Sequence, residues 1–576
     1  MTQFNRWQGA EPTPSWIGID TPFHYLNDSW NVALRLVDKG RRLYREGHGM
    51  GRVPDNPKGY PGAWTPVSLG RCGPQVYPWD ARDIRHAAKL MAYLWAEEPG
   101  LLEEYERNCF IEHVAKNGDF LNRMNDTPPY SGILGMFVAS TGDLAWCYGV
   151  TPAKQKQVLG NVIKLIKRAL QTFDPEGSGL LNVGVGKKWH ARGFWGTFLG
   201  EPNHMPANYD GTNKIVIAGM ALAVFAKRFR DAARELDAPE ADDLNELFER
   251  LTAAIEGPAW NEMTQYYYLQ RDDNSARWFH SINGQCEDSR ETDVVPFYAA
   301  EACEIPERVN AVGRVLCRAL LKDRIFPMPT HYPVYSWYSP AHPNGVDMGE
   351  DCGQIGGAWD TPYFHCVELL ARLGLQEAVQ RAILRRAEAV HRDQDCMESF
   401  RLDGTVDNAR FCNRDEYIVS ATAHLSAIIE GLFGITPAKT GFAEVNIRPN
   451  LPFYRKHRHT VNPSQWSGRD NAIGVNLGPG KQLHLKVRYD EDTERLSLKT
   501  NQAGITAHIR LPLDLGARFL RATWNGKPVK ARVEKGLDSD FIYVDHKLDG
   551  GELLIRLKPH PQKGKGTTPE INPRTC

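Results

Sequence analysis

Between residues 20 and 435, apolar positions recur every three or four residues, a spacing that predicts helices. The segments fall near 27–46, 81–97, 100–115, 131–147, 152–173, 212–235, 239–257, 293–304, 306–322, 355–374, 376–392 and 416–434. Thr151-Pro152 and Ile305-Pro306-Glu307 each place a proline at a helix start, and Gly374 marks a helix end. The last segment is apolar nearly all round, with Tyr417, Ile418, Val419, Ala421, Ala423, Leu425, Ile428, Ile429, Leu432 and Phe433. A helix without a solvent face belongs in a large core, and Gly434 followed by Pro437 stops it.

Short links such as Glu98-Pro99-Gly100 and Leu373-Gly374-Leu375 contrast with long ones at 47–80, 174–211, 258–292, 323–354 and 393–415. Long links inside a compact domain are usually functional or disordered, and these are rich in Trp, Tyr, His and Gly, which argues for function. Twelve helices with alternating links predict six helical hairpins closed in a ring, an (α/α)6 toroid whose long loops gather at one mouth. A solenoid would need an internal period, and none is visible.

After Gly434 the period changes to two. Residues 443–448 and 483–489 alternate apolar and polar, and further runs lie at 505–511, 519–523, 541–544 and 553–557. Asn525-Gly526 reads as a tight hairpin turn and Asp549-Gly550-Gly551 as another turn. The expected organisation is a 1–20 extension, a helical catalytic domain over 21–438, an antiparallel β-sandwich over 439–560 and a disordered tail over 561–576. The fold class is therefore mainly α with a small β-domain.

Composition narrows the function. With 576 residues and a net charge of −1, the chain lacks the basic surplus of a nucleic-acid or anionic-membrane binder. No long uncharged apolar run suggests a membrane span, and residues 1–16 carry no apolar signal core. The 11 cysteines form no C-x-x-C pair or zinc spacing, and Cys147, Cys303, Cys317 and Cys366 sit in helical patterns as small hydrophobes. These features lead us to expect a cytoplasmic protein without metal or cofactor. The 15 Trp and 21 Tyr serve core packing or, in loops, stacking on sugars.

Paired carboxylates are the chemistry to seek at an aromatic mouth. Inverting glycoside hydrolysis needs a general acid and a general base roughly 6.5–9.5 Å apart. Glu398 lies in the loop before the last helix, beside the turn dipeptide Asp403-Gly404; the bland alternative is a solvated loop carboxylate. Asp210 ends the loop before the helix near Asn213, where an ordinary helix cap would also put an Asp. Glu201, Glu287, Asp288, Glu350 and Asp351 are rivals, and spacing does not choose among them. Nucleotide, metalloprotease and nucleophile-elbow patterns are absent from the sequence.

Three stretches resemble the six-hairpin glycosidase superfamily of trehalases, processing α-glucosidases, mannosylglycerate hydrolases and α-L-rhamnosidases. Tyr77-Pro78-Trp79-Asp80-Ala81-Arg82-Asp83 is similar to its sugar-contacting Trp-Asp motif. Gly356-Gly357-Ala358-Trp359-Asp360-Thr361-Pro362-Tyr363 resembles its aromatic segment before the tenth helix. Met397-Glu398-Ser399-Phe400-Arg401-Leu402-Asp403-Gly404 with the helix ending at Gly434 resembles its general-base segment. The resemblance implies Glu398 as base and Asp210 as acid, although the family's Gly-Trp/Met-Asp context reads Ala207-Asn208-Tyr209-Asp210 here. It further implies Trp79, Trp195 and Trp359 as stacking platforms, Asp80 and Arg82 as hydroxyl partners, and Glu201 at the same mouth. Carbohydrate is the expected partner, and an inverting exo-acting hydrolase of α-glucosidase or α-L-rhamnosidase type the expected activity. Alternatives are a phosphorylase on the same scaffold, a non-catalytic sugar binder, and a lyase or epimerase using His or Tyr.

Overall fold

In the computed structural model, the described residues are 13–45, 90, 92–94, parts of 159–181, 213–268, 270–272, 278–279, 294–322, 358–397, 399–400, 416–451, 468–490 apart from 479, 495–513 and 517–558. The expected helices at 100–115 and 131–147 and the tail over 561–576 lie outside them. Among the described residues the named helices are α1 (His24–Arg45), α2 (Val216–Glu235), α3 (Glu240–Glu256) and α4 (Val294–Glu301). They continue with α5 (Pro306–Lys322), α6 (Asp360–Leu373), α7 (Gln376–Asp393) and α8 (Ile418–Ser426). Helical residues also occur at 90, at 92–94 and between 159 and 171.

These helices form two layers. α2, α4, α6 and α8 stand side by side: α4 packs on α2 and α6, and α6 packs on α8. Behind them α2 pairs with α3, α4 with α5 and α6 with α7, and α1 packs on both α7 and α8. The residue patterns explain which helix goes where. Val294–Ala300 of α4 and every residue of α8 whose side chain is described are buried, as apolar all-round helices must be. α3 instead buries one stripe, Leu244, Leu247, Phe248, Leu251, Ala254 and Ile255, and leaves its acidic face to solvent. Polar groups also bridge the layers. Glu256 at the end of α3 accepts from Tyr267 at 2.9 Å, from Tyr298 of α4 at 2.5 Å and from Arg308 of α5.

The segment expected as one helix over 416–434 is instead α8 continued by a π-helical turn, Ala427–Leu432. Gly431 in that turn touches α6 and α7: a Cβ there would come within 2.4 Å of Val367 Cγ1. The sequence signals for burial and for the stop at Gly434 (φ 68°) hold, but the backbone period does not.

Strands appear in two settings. Within the helical part, β2 (Asn213–Ile215), β3 (Trp260–Asn261), β4 (Tyr266–Tyr267), β5 (Gln270–Asp272), β6 (Trp278–Phe279), β7 (Ala358–Trp359) and β8 (Ser399–Phe400) are short. They stitch together loops in which no strand was expected, because their few residues lack a readable alternation. The other setting is one hydrogen-bonded sheet of ten strands. Its members are β1 (Gly18–Asp20), β9 (Ile435–Pro437), β10 (Glu444–Ile447), β11 (Asp470–Asn476), β12 (Gln482–Asp490) and β13 (Arg495–Leu513), followed by β14 (Arg518–Trp524), β15 (Lys527–Pro528), β16 (Arg532–Lys535) and β17 (Asp540–Lys558).

β13 pairs with β12 over its first half and, parallel, with β10 over its second, the register shifting between Gln502 and Thr506. Such a bulge bends a strand and lets it serve two sets of partners. The Asn525-Gly526 turn connects β14 and β15 with both residues at positive φ (48° and 79°), as the sequence signal requires. The expected turn at Asp549-Gly550-Gly551 is corrected: β17 runs unbroken through it. Gly550 and Gly551 adopt φ 84° and 136°, and a Cβ on Gly551 would lie 2.0 Å from Asn525 Oδ1. Those glycines permit a kink against the neighbouring hairpin rather than a reversal. The 1–20 extension also ends in the sheet, β1 lying antiparallel to β11.

The sheet is fastened to the helices at their C-terminal ends. Arg510 of β13 donates to the carbonyls of Ala371 and Arg372 at 2.7 and 2.6 Å, satisfying two orphan acceptors at the end of α6. Asn450 donates to Gly431 O at 2.7 Å, and Arg448 N to Gly434 O at 2.9 Å.

Candidate active site

Described parts of two long links lie against the N-terminal ends of front helices. β2, directly before α2, pairs with β5 of the link 258–292, with Asn213 opposite Asp272. β7, directly before α6, pairs with β8, so Trp359 lies opposite Ser399 and Ala358 opposite Phe400. Ser399 is the residue after Glu398 in the chain.

The loop that contains Glu398 is clamped at its base. The Asp395 carboxylate accepts from the backbone N–H of Cys396 at 2.7 Å and of Glu416 at 2.9 Å. Tyr417 N donates to Cys396 O at 2.7 Å. The chain therefore leaves α7 and re-enters α8 at one point. Lys39 of α1 adds an ion pair to Glu416 at 2.8 Å, which is partly exposed and correspondingly weak.

Beneath the clamp lies a buried polar floor. Arg386 of α7 donates to Met397 O at 3.4 Å, to Ser420 Oγ, and places its guanidinium 5.6 Å from the Tyr363 ring centroid. Ser29 of α1 gives its proton to Leu26 O at 2.9 Å, so its oxygen accepts from His424 Nε2 at 3.0 Å. That choice of tautomer leaves His424 Nδ1 as acceptor for the Tyr363 hydroxyl at 3.4 Å. Burial, reinforced by the Arg386 charge, pushes His424 down to about 3, so it is neutral. Burial also pushes the Cys396 thiol up to about 12 and raises Tyr363. Cys396 is then an inert thiol, in line with its sequence context.

Of the residues singled out from sequence, Trp359 is placed by its backbone in β7, next to the strand that follows Glu398. Glu398, Asp210, Glu201, Trp79, Asp80, Arg82 and Trp195 lie outside the described residues. One bland reading can still be weighed for Asp210. α2 begins at Val216 after β2, so its capping position is Ile215 and not a residue five positions earlier. The described residues hold no group of three or more His, Cys, Asp or Glu arranged for a metal ion.

Sequence reading missed the floor. Two signals could have revealed it. Arg386 falls on the apolar stripe of α7 at helical spacing from Val379, Ala382 and Ile383, and His424 interrupts an otherwise apolar helix. Asp395 left no such mark, because a clamp to backbone N–H groups has no periodicity.

No protein-family model matches the sequence, and no curated protein matches it. Solved structures do. A GH78 family rhamnosidase of Bacillus sp. GL1 is 14% identical with a TM-score of 0.52, over 85% of this chain and 42% of that one. An α-L-rhamnosidase of Streptomyces avermitilis, solved with L-rhamnose, gives 14% and 0.52 over 94% and 42%. An α-L-rhamnosidase of Aspergillus terreus gives 12% and 0.51 over 95% and 51%. This chain thus spans about half or less of the length of these proteins. At such identity the likeness is one of fold: a helical part followed by a sheet. No helix among the described residues is long and apolar enough to cross a membrane.

Proposed function

We propose that the chain is an inverting, exo-acting glycoside hydrolase built on a six-hairpin toroid, of which the two described helical layers are an arc. Glu398 is the general base that deprotonates water, and Asp210 the general acid that protonates the departing glycosidic oxygen. The reading is supported most by one observation: the loop containing Glu398 is clamped at both ends beside the β7–β8 pair at the start of α6, on a fold shared with rhamnosidases. A base must be held within a fraction of an ångström of its water, and a clamped loop is suited to that. Trp79, Trp195 and Trp359 stack on sugar faces, while Asp80, Arg82 and Glu201 bind hydroxyls. Carbohydrate is the partner, and the protein acts as a soluble cytoplasmic enzyme.

The test is turnover of a panel of aryl glycosides, including α-L-rhamnosides and α-glucosides, by the wild type, Glu398→Gln and Asp210→Asn. Loss of a general acid or base costs roughly 10²–10⁴-fold in rate. Near wild-type turnover in either variant removes that residue from its role. NMR of the first-formed anomer reads inversion directly, and release that depends on added phosphate would transfer the activity to a phosphorylase.

A further inference from the structure

A cavity of about 430 Å³ lies at the C-terminal end of the front helices. Its walls are the C-terminal parts of α2, α4 and α6, the π-turn after α8, and β9, β10 and β13. Along α6, Arg372 in this cavity is twelve residues from Asp360 at the rim of the mouth, or about 18 Å at helical rise. The volume is that of an ordinary small-molecule site.

The lining carries both signs, with Lys227, Arg228, Arg372, Arg448 and His508 against Asp231, Glu301, Glu368 and Glu430, and the two signs differ in how far they are paired. Among the carboxylates, Asp231 pairs with Lys227 at 2.7 Å, Glu301 with Arg228 at 2.8 Å, and Glu430 accepts from Tyr93 at 3.1 Å. Among the cations, Arg448 of β10 donates to the Asn446 side chain at 2.7 Å and ion-pairs with no carboxylate among the described residues. Near it are the Arg510 and Arg372 guanidiniums and the Tyr543 hydroxyl. Arg510 is committed to the α6 carbonyls, and Arg372 projects from the end of α6 with no ion pair among the described residues. Burial first, then repulsion from Arg510 and Arg372, lowers the Arg448 pKa to about 10.

Arg448 and Arg372 line the same cavity, neither with an ion pair among the described residues, and like charges sharing a cavity repel. An oxyanion placed between Arg448 and Arg372 would remove the repulsion and gain charge-assisted hydrogen bonds from planar donors suited to it. The acidic side chains of the lining, together with Thr436, offer acceptors for hydroxyl groups but repel a second negative charge. We propose that this cavity is a binding site for a small polyhydroxylated oxyanion, a sugar phosphate or sugar acid, held by Arg448 and Arg372. The site is separate from the mouth and does not rest on the glycosidase reading.

Calorimetric titration of the full chain with glucose 6-phosphate, gluconate, inorganic phosphate and glucose tests it at constant ionic strength. Saturable binding of glucose 6-phosphate or gluconate in the millimolar range or tighter is expected, with none for glucose. The two anions distinguish a phosphate from a carboxylate ligand. Arg448→Gln and Arg372→Gln should each weaken binding by about tenfold or more. Arg372 is exposed, so its variant keeps the test decisive should Arg448→Gln fold poorly. Absence of saturable binding by either hydroxylated anion, or equal binding by both variants and the wild type, overturns the site. Aryl-glycoside turnover without added anion should be unchanged in both variants, which separates failure here from failure at the mouth.

Discussion

Asp395→Ala is the substitution that most directly joins structure to activity. The carboxylate is part-buried and accepts two backbone N–H groups that lie 20 residues apart in sequence, at 2.7 and 2.9 Å. Hydrogen bonds to a charged group contribute about 1.5–3 kcal/mol each when well shielded, and partial exposure puts this pair nearer about 2–3 kcal/mol together. Closing a free loop of this length costs about 2.7 kcal/mol. With the carboxylate gone, the neutral bond from Tyr417 to Cys396, at about 1 kcal/mol, no longer matches that cost alone. The loop base should therefore loosen while the helices on either side stay packed.

The expected result is a melting temperature lowered by a few degrees, since a kilocalorie shifts a large domain by about 2 °C. The kcat on the best aryl glycoside should fall roughly 10- to 100-fold, because an ångström of misplacement at the chemistry costs that much. Asp395→Asn retains one acceptor oxygen and should fall between. Differential scanning calorimetry and steady-state kinetics on the three proteins measure both effects. An Asp395→Ala enzyme that melts lower yet keeps its kcat would refute the link between clamp and catalysis. One that melts and turns over like the wild type would refute the clamp itself.

Gly434→Ala should largely prevent accumulation of folded protein: the residue sits at φ 68° and a Cβ would lie 2.1 Å from the Arg448 carbonyl oxygen. Positive φ and backbone overlap together cost at least about 3 kcal/mol, and soluble yield with circular dichroism reads the loss. His508 bridges Glu444 and Asp545 at 2.8 Å each; burial opposes its charge, but the two carboxylates outweigh it and raise its pKa. A raised histidine stabilises fully below its unfolded pKa of about 6.5 and loses that contribution as pH rises through the folded value. Hydrogen bonds from Lys439 and then His508 hold Glu444, and from His508 and Arg532 hold Asp545, below the usual carboxylate range, so their contribution is lost as pH falls below about 4. Melting curves should therefore show His508→Gln losing most stability between about pH 4.5 and 6.5 and little at pH 9, and a pH-independent loss would contradict the triad.

The helical layers were legible because burial writes itself into sequence with a fixed period. α2, α3, α5, α6 and α7 start and stop within a few residues of the expected bounds, marked by Pro306 and Gly374 where the signals were strongest. The burial of α8 was legible too, because its segment is apolar nearly all round. The alternating texture after Gly434 likewise announced a sheet, and Asn525-Gly526 its hairpin.

Other features depended on contacts between residues far apart in sequence, which a local pattern cannot encode. Gly431 allowed α6 to approach α8, and the helix gave way to a π-turn there. Gly550 and Gly551 read as a reversal by themselves, but the Asn525 hairpin against them turned the same freedom into a kink in one long strand. Asp395 and Arg386 look like solvated charges until the return of the chain at Glu416 and Ser420 supplies their partners. The sequence alone marked most of the helices and the long strands through periodicity, and its resemblance to a family nominated Glu398 as the base. Tertiary structure decided how the loop base is clamped, what lies beneath it and which side chains line the cavity at the far end of α6, because each depends on side chains brought together only by packing.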